Sequence, residues 1–271
     1  MCSAESPVLL EVSQGVGTIT LNRPQVLNAL NNAMSEALFS ALQKVEADDS
    51  VRAIVIRGAG DAFMAGGDIG YFQQKLTEHA ADKSALKPLI MAMVGHAQQL
   101  ALTIRRLPKP VIASIHGGCA GFGLSLAIAC DLAIAADNAK FTLAYVHLGT
   151  TPDGAASFHL PRTVGQKRAA EIALLGDRFG AVDAERWGLV NKVVPLAELP
   201  AETAKLAARL ARGPALAYAR TKALLEAANR NSLVDQLQAE ADAFAASAVS
   251  DDFAIGVSAF LEKKPPAFTG K

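Results

Sequence analysis

The chain has 271 residues, of which 51% are hydrophobic and 19% charged, and its 26 basic side chains balance its 26 acidic ones. This zero net charge excludes a general nucleic-acid binder, which needs a clustered positive surface to displace counterions from phosphates. The apolar content excludes a disordered chain, because burial of that surface offsets the entropy lost on ordering. We expect one large domain, or a domain with a small appendage, whose weakly charged surface associates with copies of itself.

A membrane-spanning segment is not expected. The longest apolar stretch, residues 124–136, is interrupted by Ser125 and Asp131 and falls short of the ~20 residues that span a bilayer. Residues 1–7 lack the basic and apolar regions of a secretory signal, so none is expected there.

The cysteines indicate a reducing compartment. Cys2, Cys119 and Cys130 form an odd set without a Cys-x-x-Cys pair. We therefore expect neither a disulfide framework nor a zinc site, and we predict a cytoplasmic protein.

Hydrophobic periodicity predicts strands that alternate with helices in the first half of the chain. In chain order we expect a β-hairpin at 8–21, a helix that begins at Asn31 or Asn32 and ends at 48–50, a buried strand at 53–56, a glycine-rich loop at 58–70, a polar stretch of undefined course at 72–88, and a helix at 89–106.

The same alternation continues and then gives way to helices. We expect a strand at 111–115, a glycine-rich turn at 116–123, a helix at 124–129, strands at 132–135 and 140–143, and, after Pro161, only helices near 167–176, 183–188, 201–212, 215–229, 232–247 and 252–262. This order predicts an α/β core over residues 1–196 and a C-terminal helical region over residues 197–271.

Two glycine-rich turns, residues 62–69 and 116–123, each follow a predicted buried strand. Glycines there allow the main chain to approach a ligand closely, and free N–H groups at a helix start favour negative charge. Two such turns could together supply two N–H donors to one developing oxyanion, which is the geometry that acyl chemistry needs.

A dinucleotide site is an alternative for the second turn, and we reject it. Gly121 and Gly123 supply Gly-x-Gly, but Leu126 stands where the third glycine belongs. Asp131 follows too closely to act as the ribose-binding acid, which lies about 20 residues further on.

A serine hydrolase is a second alternative. Residues 123–127 approximate the Gly-x-Ser-x-Gly turn, and Ser125, Asp153 and His159 follow in hydrolase order. However, Ala127 replaces the second glycine, and the acid and the histidine lie only six positions apart in the sequence. We favour Ser125 as a small residue near a helix N-terminus.

A metal site is a third alternative, from His147, Asp153 and His159. These residues lie within thirteen positions, but their spacing matches neither one helix face nor a His-Glu-x-x-His motif. A metal site is therefore not expected.

Asp153 lies in a neutral segment, residues 148–157. Pro-Asp-Gly is ordinary sequence for a helix N-cap, which is one interpretation. The other is a carboxylate in an apolar pocket, with a pKa suited to proton transfer.

The two turns and their flanks resemble the paired signatures of the crotonase (enoyl-CoA hydratase/isomerase) superfamily. The resemblance covers nearly the whole chain and includes Phe63-Met64-Ala65-Gly66-Gly67-Asp68-Ile69, Gly117-xxx-Gly121-x-Gly123, Leu21-Asn22-Arg23-Pro24, Asn28-Ala29-Leu30, residues 130–135, residues 184–190 and residues 256–265. It implies a spiral of repeated ββα units, a C-terminal helical region used for trimerisation, and an acyl-CoA ligand.

The resemblance also implies which residues meet the thioester. Its oxygen would be held by the main-chain N–H groups of Gly67 and Phe122, and at Phe122 the amide would matter more than the side chain. The coenzyme A portion would contact Asn28, Ala29, Leu30, Ala65, Gly67, Asp68, Ile69, Gly70 and Phe122. No further cofactor is implied, since coenzyme A belongs to the substrate.

The chain departs from the family's hydratases at the acid/base positions. Hydratases of the family carry two glutamates that activate and protonate water. The resemblance places Ser125 and Tyr145 at the two matching positions, and neither is a carboxylate. Asp153 matches an aspartate of family isomerases, including dienoyl-CoA isomerases and ring-epoxide isomerases of phenylacetate breakdown. Family dehalogenases use an aspartate there as a nucleophile. These relatives pair it with a histidine, at a position that Gln98 matches here.

We therefore predict an acyl-CoA isomerase in which Asp153 moves a proton and Gly67 and Phe122 hold the enolate. Tyr145 and Phe63 would wall the acyl pocket, or simply pack in the core. The alternatives are a hydratase that uses Asp153 alone and a non-catalytic acyl-CoA-binding subunit. As partners we expect an acyl-CoA and copies of the chain in a homotrimer or a dimer of trimers, without nucleic acid or membrane.

Overall fold

Short strands alternate with helices until the last quarter of the chain, which is helical. The computed structural model describes residues 6–271, in which there are ten strands and eleven α-helices. The strands are β1 (Val8–Ser13), β2 (Val16–Leu21), β3 (Ala53–Gly58), β4 (Ala62–Met64), β5 (Val111–Ile115), β6 (Gly118–Ala120), β7 (Leu132–Ala136), β8 (Lys140–Thr142), β9 (Phe179–Gly180) and β10 (Lys192–Val194). The helices are α1 (Asn32–Ala47), α2 (Ile69–Glu78), α3 (Leu86–Arg106), α4 (Phe122–Ala129), α5 (Ala156–Val164), α6 (Gln166–Leu175), α7 (Ala181–Arg186), α8 (Leu199–Ala211), α9 (Ala215–Ala227), α10 (Leu233–Ala248) and α11 (Asp251–Glu262).

The strands form two sheets, with the orders β1-β2-β3-β5-β7-β10 and β4-β6-β8-β9. β1 and β2 pair antiparallel as the predicted hairpin, whereas β2, β3, β5, β7 and β10 pair in parallel. The chain passes from the larger sheet to the smaller sheet and then into a helix, as in β5-β6-α4. The predicted α/β fold, a spiral of repeated ββα units, is confirmed.

The larger sheet is covered on both faces because its strands carry apolar side chains on both. Ile54 of β3 lies in the main core with Leu38 of α1, whereas its neighbour Val55 lies in a separate cluster with Ala207 of α8. Successive residues of a strand point to opposite faces, so α1 and α8 cover opposite sides. This explains why residues 53–56 form an unbroken apolar run.

The helix predicted at 31 or 32 is α1, and Asn31 is its N-cap. The Asn31 side chain accepts a hydrogen bond from Met34 N at 2.9 Å, which satisfies one of the free donors of the first turn. Asp48 ends the helix, as predicted.

Helices α2 and α3 occupy most of residues 72–88, whose course the sequence left undefined. Asp68 begins α2, since its Oδ1 accepts a hydrogen bond from Tyr71 N at 3.3 Å. α3 begins at Leu86, three residues before the predicted start.

The expectation that only helices follow Pro161 is wrong. β9 pairs antiparallel with β8, and β10 pairs in parallel with β7, with Lys192 opposite Ile134. α5 also begins before Pro161, at Ala156, and contains that proline. Strands of two or three residues are too short to show alternation, and β10 finds its partner far away in the sequence.

α8, the first α-helix beyond residue 196, packs against the core. α8 packs on the larger sheet, where Leu199 shares a cluster with Ile134 and Val194. The boundary predicted between residues 196 and 197 stays a prediction.

A buried ion pair between Lys222 of α9 and Asp131 connects this helix to the core. Lys222, 8% exposed, donates to Asp131 Oδ2 at 2.7 Å and to Ile104 O at 2.8 Å. Beside it, Arg105 meets Glu226 at 2.9 Å. Because each buried charge has its partner, the attachment of α9 is specific in position.

The last three helices expose many large apolar side chains. Within the described residues no single helix is both long and apolar enough to cross a bilayer, whereas α10 and α11 together pass that test but are bent by 80° at their junction. The exposed side chains are Leu225, Leu233, Val234, Leu237, Phe244, Val249, Phe253, Val257, Phe260 and Leu261.

Candidate active site

The two glycine-rich segments, predicted as turns, each contain a short strand, β4 or β6, and they lie against each other because these strands pair in parallel. Gly66 has φ +100° and Gly121 has φ +50°, both in the region that favours glycine. A Cβ at Gly66 would lie 3.1 Å from Ala120 O and 3.5 Å from Phe122 N. A side chain there would therefore push the two turns apart.

Gly67 and Phe122, the predicted oxyanion donors, line one cavity of about 640 Å³. Within residues 6–271 neither of their N–H groups donates a hydrogen bond to the protein. Phe122 is also the first residue of α4, where the helix dipole favours negative charge. The structure thus brings together two free donors at one cavity.

The segment 27–30 holds the first turn in place. Leu30 N donates to Gly66 O at 2.7 Å, and Asp68 N donates to Leu30 O at 2.9 Å. The buried Asn28 side chain donates to Ala62 O at 2.8 Å. This part of the sequence therefore supports the turn through hydrogen bonds.

Six of the residues predicted to meet coenzyme A border the cavity, and three do not. Leu30, Ala65, Gly67, Asp68, Ile69 and Phe122 line it. Asn28, Ala29 and Gly70 lie outside its lining, and Asn28 and Ala29 are buried behind it. Contact of any of these residues with coenzyme A stays a prediction.

Asp68 is one of two carboxylates at the cavity, and it is already engaged. Its Oδ2 lies 3.0 Å from Arg23 Nη2, and its Oδ1 caps α2. Both carboxylate oxygens of Asp68 therefore already have a partner within the protein.

Asp153 is the other carboxylate at the cavity. Its Oδ1 accepts a hydrogen bond from the Tyr145 hydroxyl at 2.5 Å. Burial raises the pKa of Asp153 above the ordinary aspartate value, although the Tyr145 hydrogen bond opposes the rise. Burial and the nearby carboxylate also raise the pKa of Tyr145, so this phenol keeps its proton. The interpretation of Asp153 as a helix N-cap is wrong, because Ala155 caps α5 and no side chain bonds to that helix start.

Ser125 lies beside this pair. Its hydroxyl donates to the main-chain oxygen of Asp153 at 3.0 Å and lies 3.5 Å from the Tyr145 hydroxyl. The structure thus brings together the three positions singled out from the sequence, 125, 145 and 153, and Gln98 lines the same cavity.

The hydrolase and metal alternatives find no support. His159 lies in a different cavity, with Arg105 and Arg162, and its ring makes an edge-to-face contact with Phe158. It therefore does not complete a triad with Ser125. The part of the chain that the structure describes contains no group of three His, Cys, Asp or Glu side chains able to hold a metal ion.

Sequence reasoning missed the contact between the two loops through Gly154. A Cβ at Gly154 would lie 2.7 Å from Phe122 Cε2 and 2.9 Å from Ser125 Cβ. The Phe122 ring, 3% exposed, thus packs beside the Asp153 loop, so its side chain also matters. The Pro-Asp-Gly sequence signalled a turn at this place but not its contact.

Gly154→Ala should destabilise the protein more than Gly149→Ala. Both glycines have positive φ, +58° and +67°, but only the Gly154 position is crowded, since nothing lies within 4 Å of a Cβ at Gly149. We expect an additional loss of about 1–3 kcal/mol in the free energy of unfolding, the typical cost of overpacking. Urea unfolding of both variants measures it, and equal losses would contradict the packing argument.

The fold and the cavity define a class of protein, an α/β spiral with two main-chain donors and one raised-pKa carboxylate. Residues 11–271 match the family model described as enoyl-CoA hydratase/isomerase. The chain therefore belongs to the enoyl-CoA hydratase/isomerase family, and the resemblance to the crotonase superfamily is confirmed.

Similar proteins carry both names of that family. A probable enoyl-CoA hydratase of Rhodobacter capsulatus is 40% identical over 261 residues, 96% of this chain and 97% of that one. A 1,2-epoxyphenylacetyl-CoA isomerase of Escherichia coli is 39% identical over 265 residues, 97% and 98% of the two chains. The crystal structure of an enoyl-CoA hydratase from Polaromonas superposes with a TM-score of 0.89 at 32% identity, over 96% of this chain and 99% of that one.

Proposed function

We propose that this enzyme isomerises an enoyl-CoA, or a related dienoyl- or epoxy-acyl-CoA, with Asp153 as the group that moves the proton. The observation that carries the proposal is the cavity itself. It holds Asp153, which has a hydrogen bond from Tyr145 but no cationic partner among residues 6–271, and the free N–H groups of Gly67 and Phe122. Removal of a proton next to a thioester carbonyl needs a base for the proton and hydrogen-bond donors for the enolate oxygen.

For a 3-enoyl thioester, Asp153 and the two main-chain N–H groups are sufficient for the reaction, since the proton that is removed is also the proton that is returned. Asp153 takes a proton from C2, and the electron pair of that C–H bond moves into the thioester carbonyl to give an enolate. The Gly67 and Phe122 N–H groups would stabilise the enolate oxygen. The enolate then collapses, the double bond moves from C3–C4 to C2–C3, and the protonated Asp153 returns its proton to C4.

The raised pKa of Asp153 suits both halves of this shuttle. A base with a very low pKa would remove the carbon-bound proton poorly, whereas a proton donor must give it back in the same cycle. Burial supplies the shift here, since among residues 6–271 no cationic side chain acts on the Asp153 pKa.

Water addition is less well supported as the main reaction. By family resemblance, hydratases use two glutamates to activate and protonate water. Ser125 and Tyr145 stand at those positions, and neither is a carboxylate. The other acid at the cavity, Asp68, is paired with Arg23. Hydration by Asp153 alone is therefore the second candidate, and a relative named probable enoyl-CoA hydratase favours retaining it.

Product analysis with a panel of thioesters tests the proposal. We expect purified enzyme to convert 3-enoyl-, dienoyl- or epoxy-acyl-CoA into isomers of unchanged mass, and mass spectrometry with chromatography separates these from products that have gained water. Rapid hydration of 2-enoyl-CoA without isomerisation would favour the hydratase. Thioester binding by calorimetry without turnover of any substrate would favour the non-catalytic subunit.

We also propose a homotrimer or a dimer of trimers, assembled through the C-terminal helices. The exposed apolar side chains of α9 to α11 support this proposal, because a surface of that kind is buried in stable assemblies. Light scattering of the purified protein gives the subunit number. A cytoplasmic location and the lack of any cofactor beyond coenzyme A of the substrate remain part of the proposal.

A further inference from the structure

Two hydroxyl groups fix Asp153 at two different points. Tyr145 donates to the carboxylate oxygen Oδ1, and Ser125 donates to the main-chain oxygen of the same residue. The first bond restrains the side chain, and the second restrains the loop that carries it. Neither bond involves a charged partner, so the carboxylate is held without an ion pair.

The loop needs this restraint because its main chain is unusual. Gly154 and Ala155, which follow Asp153 directly, both have positive φ, +58° and +65°. An alanine in this region is strained, and it persists only where surrounding contacts hold it. The hydrogen bond from the buried Ser125 is such a contact.

The Tyr145 bond leaves the two carboxylate oxygens unequal. In the described part of the chain the one side-chain hydrogen bond that the Asp153 carboxylate accepts, from Tyr145, is at Oδ1. Oδ2 has no side-chain partner there and is therefore the less restrained oxygen for a carbon-bound proton. Tyr71 also lines the cavity, but among the hydrogen bonds of the described residues it donates none to Asp153.

We propose that Tyr145 is a positioning residue, which holds Asp153 through Oδ1 so that Oδ2 both takes and returns the proton. The inference rests on the proposed function, and it adds a residue whose role is to orient the base and to stabilise its charged form. Tyr145 itself keeps its proton throughout, because burial and Asp153 raise its pKa.

Other titratable groups near Asp153 do not offer the same coupling. Asp68 is bound to Arg23. His147 lies with Tyr145 in a 3-10 helix, Tyr145–Leu148, and its Nε2 is 3.0 Å from Gly176 O. α4 presents Ser125 and Phe122, which do not titrate here, and Gln98 of α3 is neutral. A change in the Asp153 pKa on removal of one hydroxyl therefore reports on that hydroxyl.

Titration of ¹³C-carboxyl-labelled aspartate by NMR in the full-length protein measures the effect without substrate, and Asp153→Asn identifies the resonance. In Tyr145→Phe the Asp153 pKa should rise by about one pH unit, because a hydrogen bond to a carboxylate stabilises its charged form. Tyr71→Phe, the same chemical change in the same cavity, should leave it in place. An unchanged or lowered pKa in Tyr145→Phe would overturn the inference.

Kinetics give the second readout. In Tyr145→Phe the acid limb of kcat/KM should move to higher pH with the titration, and kcat should fall about tenfold with little change in KM, as expected for loss of an orienting contact. If Tyr145 had only a structural role, the acid limb of kcat/KM in Tyr145→Phe would stay at the wild-type pH. If the titration shifts as expected but Asp153→Asn retains isomerisation, the proposed function fails while the positioning of Asp153 stands.

Fluorotyrosine labelling keeps the test independent of mutant folding. The fluorinated phenol is more acidic and a stronger donor, so the Asp153 pKa should fall in the otherwise wild-type protein. Loss of this shift in a labelled Tyr145→Phe sample, and its retention in labelled Tyr71→Phe, would assign it to Tyr145. No shift in the labelled wild type would overturn the inference.

Discussion

Asp153→Asn should abolish most of the isomerase activity, with a fall in kcat of about 10²–10⁴, the contribution of a positioned acid/base group. Asparagine has nearly the same shape as aspartate and can still accept the Tyr145 hydrogen bond, so the cavity should keep its form. It cannot take up a proton from carbon. Steady-state assays on the substrate that the panel identifies measure the loss, and calorimetry should show that thioester binding is retained.

The matched control is Asp49→Asn, an identical change at an exposed aspartate far from the cavity. It should retain the wild-type rate. Full isomerisation by Asp153→Asn would show that another group moves the proton.

The pH dependence of kcat/KM should also differ between the wild-type protein and Asp153→Asn. In the wild-type protein kcat/KM should fall as the pH falls through the pKa of Asp153, since the protonated carboxyl cannot act as a base. Because burial raises that pKa, the limb should lie above the ordinary aspartate range. The residual activity of Asp153→Asn should lack the limb.

Gly66→Ala should have the second largest effect, through the oxyanion site. The new methyl group would lie 3.1 Å from Ala120 O and 3.5 Å from Phe122 N, at a residue with φ +100°. Displacement of one donor from the enolate oxygen should lower kcat by about 10²–10³, the cost of losing one such donor in comparable sites. Rates and melting temperatures are measured together.

Gly165→Ala is the control for main-chain strain. It also has positive φ, +78°, but nothing lies within 4 Å of its Cβ, and it does not border the cavity. It should lose some stability and keep its activity. A Gly66→Ala enzyme that melts like this control and still turns over at the wild-type rate would contradict the assignment of the donors.

Much of the framework could be predicted because its signals are local. Asn31 capped a helix where an apolar period began, and the unbroken run at 53–56 marked a strand buried on both faces. The glycine-rich turns were expected to approach a ligand, which stays a prediction, and the structure shows that Gly66 and Gly121 also lie close to each other. The resemblance then gave the order of the ββα units.

The partner of Asp153 could not be found in this way. Its loop depends on alanines with positive φ, Ala144 at +53° and Ala155 at +65°, and alanine carries no signal for that conformation. Ala144 directly precedes Tyr145, and Ala155 lies two residues after Asp153. β9 and β10 escaped notice for another reason, since each is stabilised by a strand distant in the sequence.

The two oxyanion donors are main-chain groups, whereas Asp153 acts through its side chain, and this division bears on how such an enzyme could change its reaction. A substitution at 125, 145 or 153 alters the proton chemistry but leaves every amide N–H in the protein. The groups that move the proton can therefore change in evolution while the groups that activate the thioester stay the same. The close approach of Gly154 to Phe122 and Ser125 limits this freedom, because a Cβ at 154 would lie within 3 Å of both side chains and a larger residue at 125 must fit in the same space. A laboratory search for new reactions in this cavity should therefore vary these three positions together and leave Gly66, Gly121 and Gly154 unchanged.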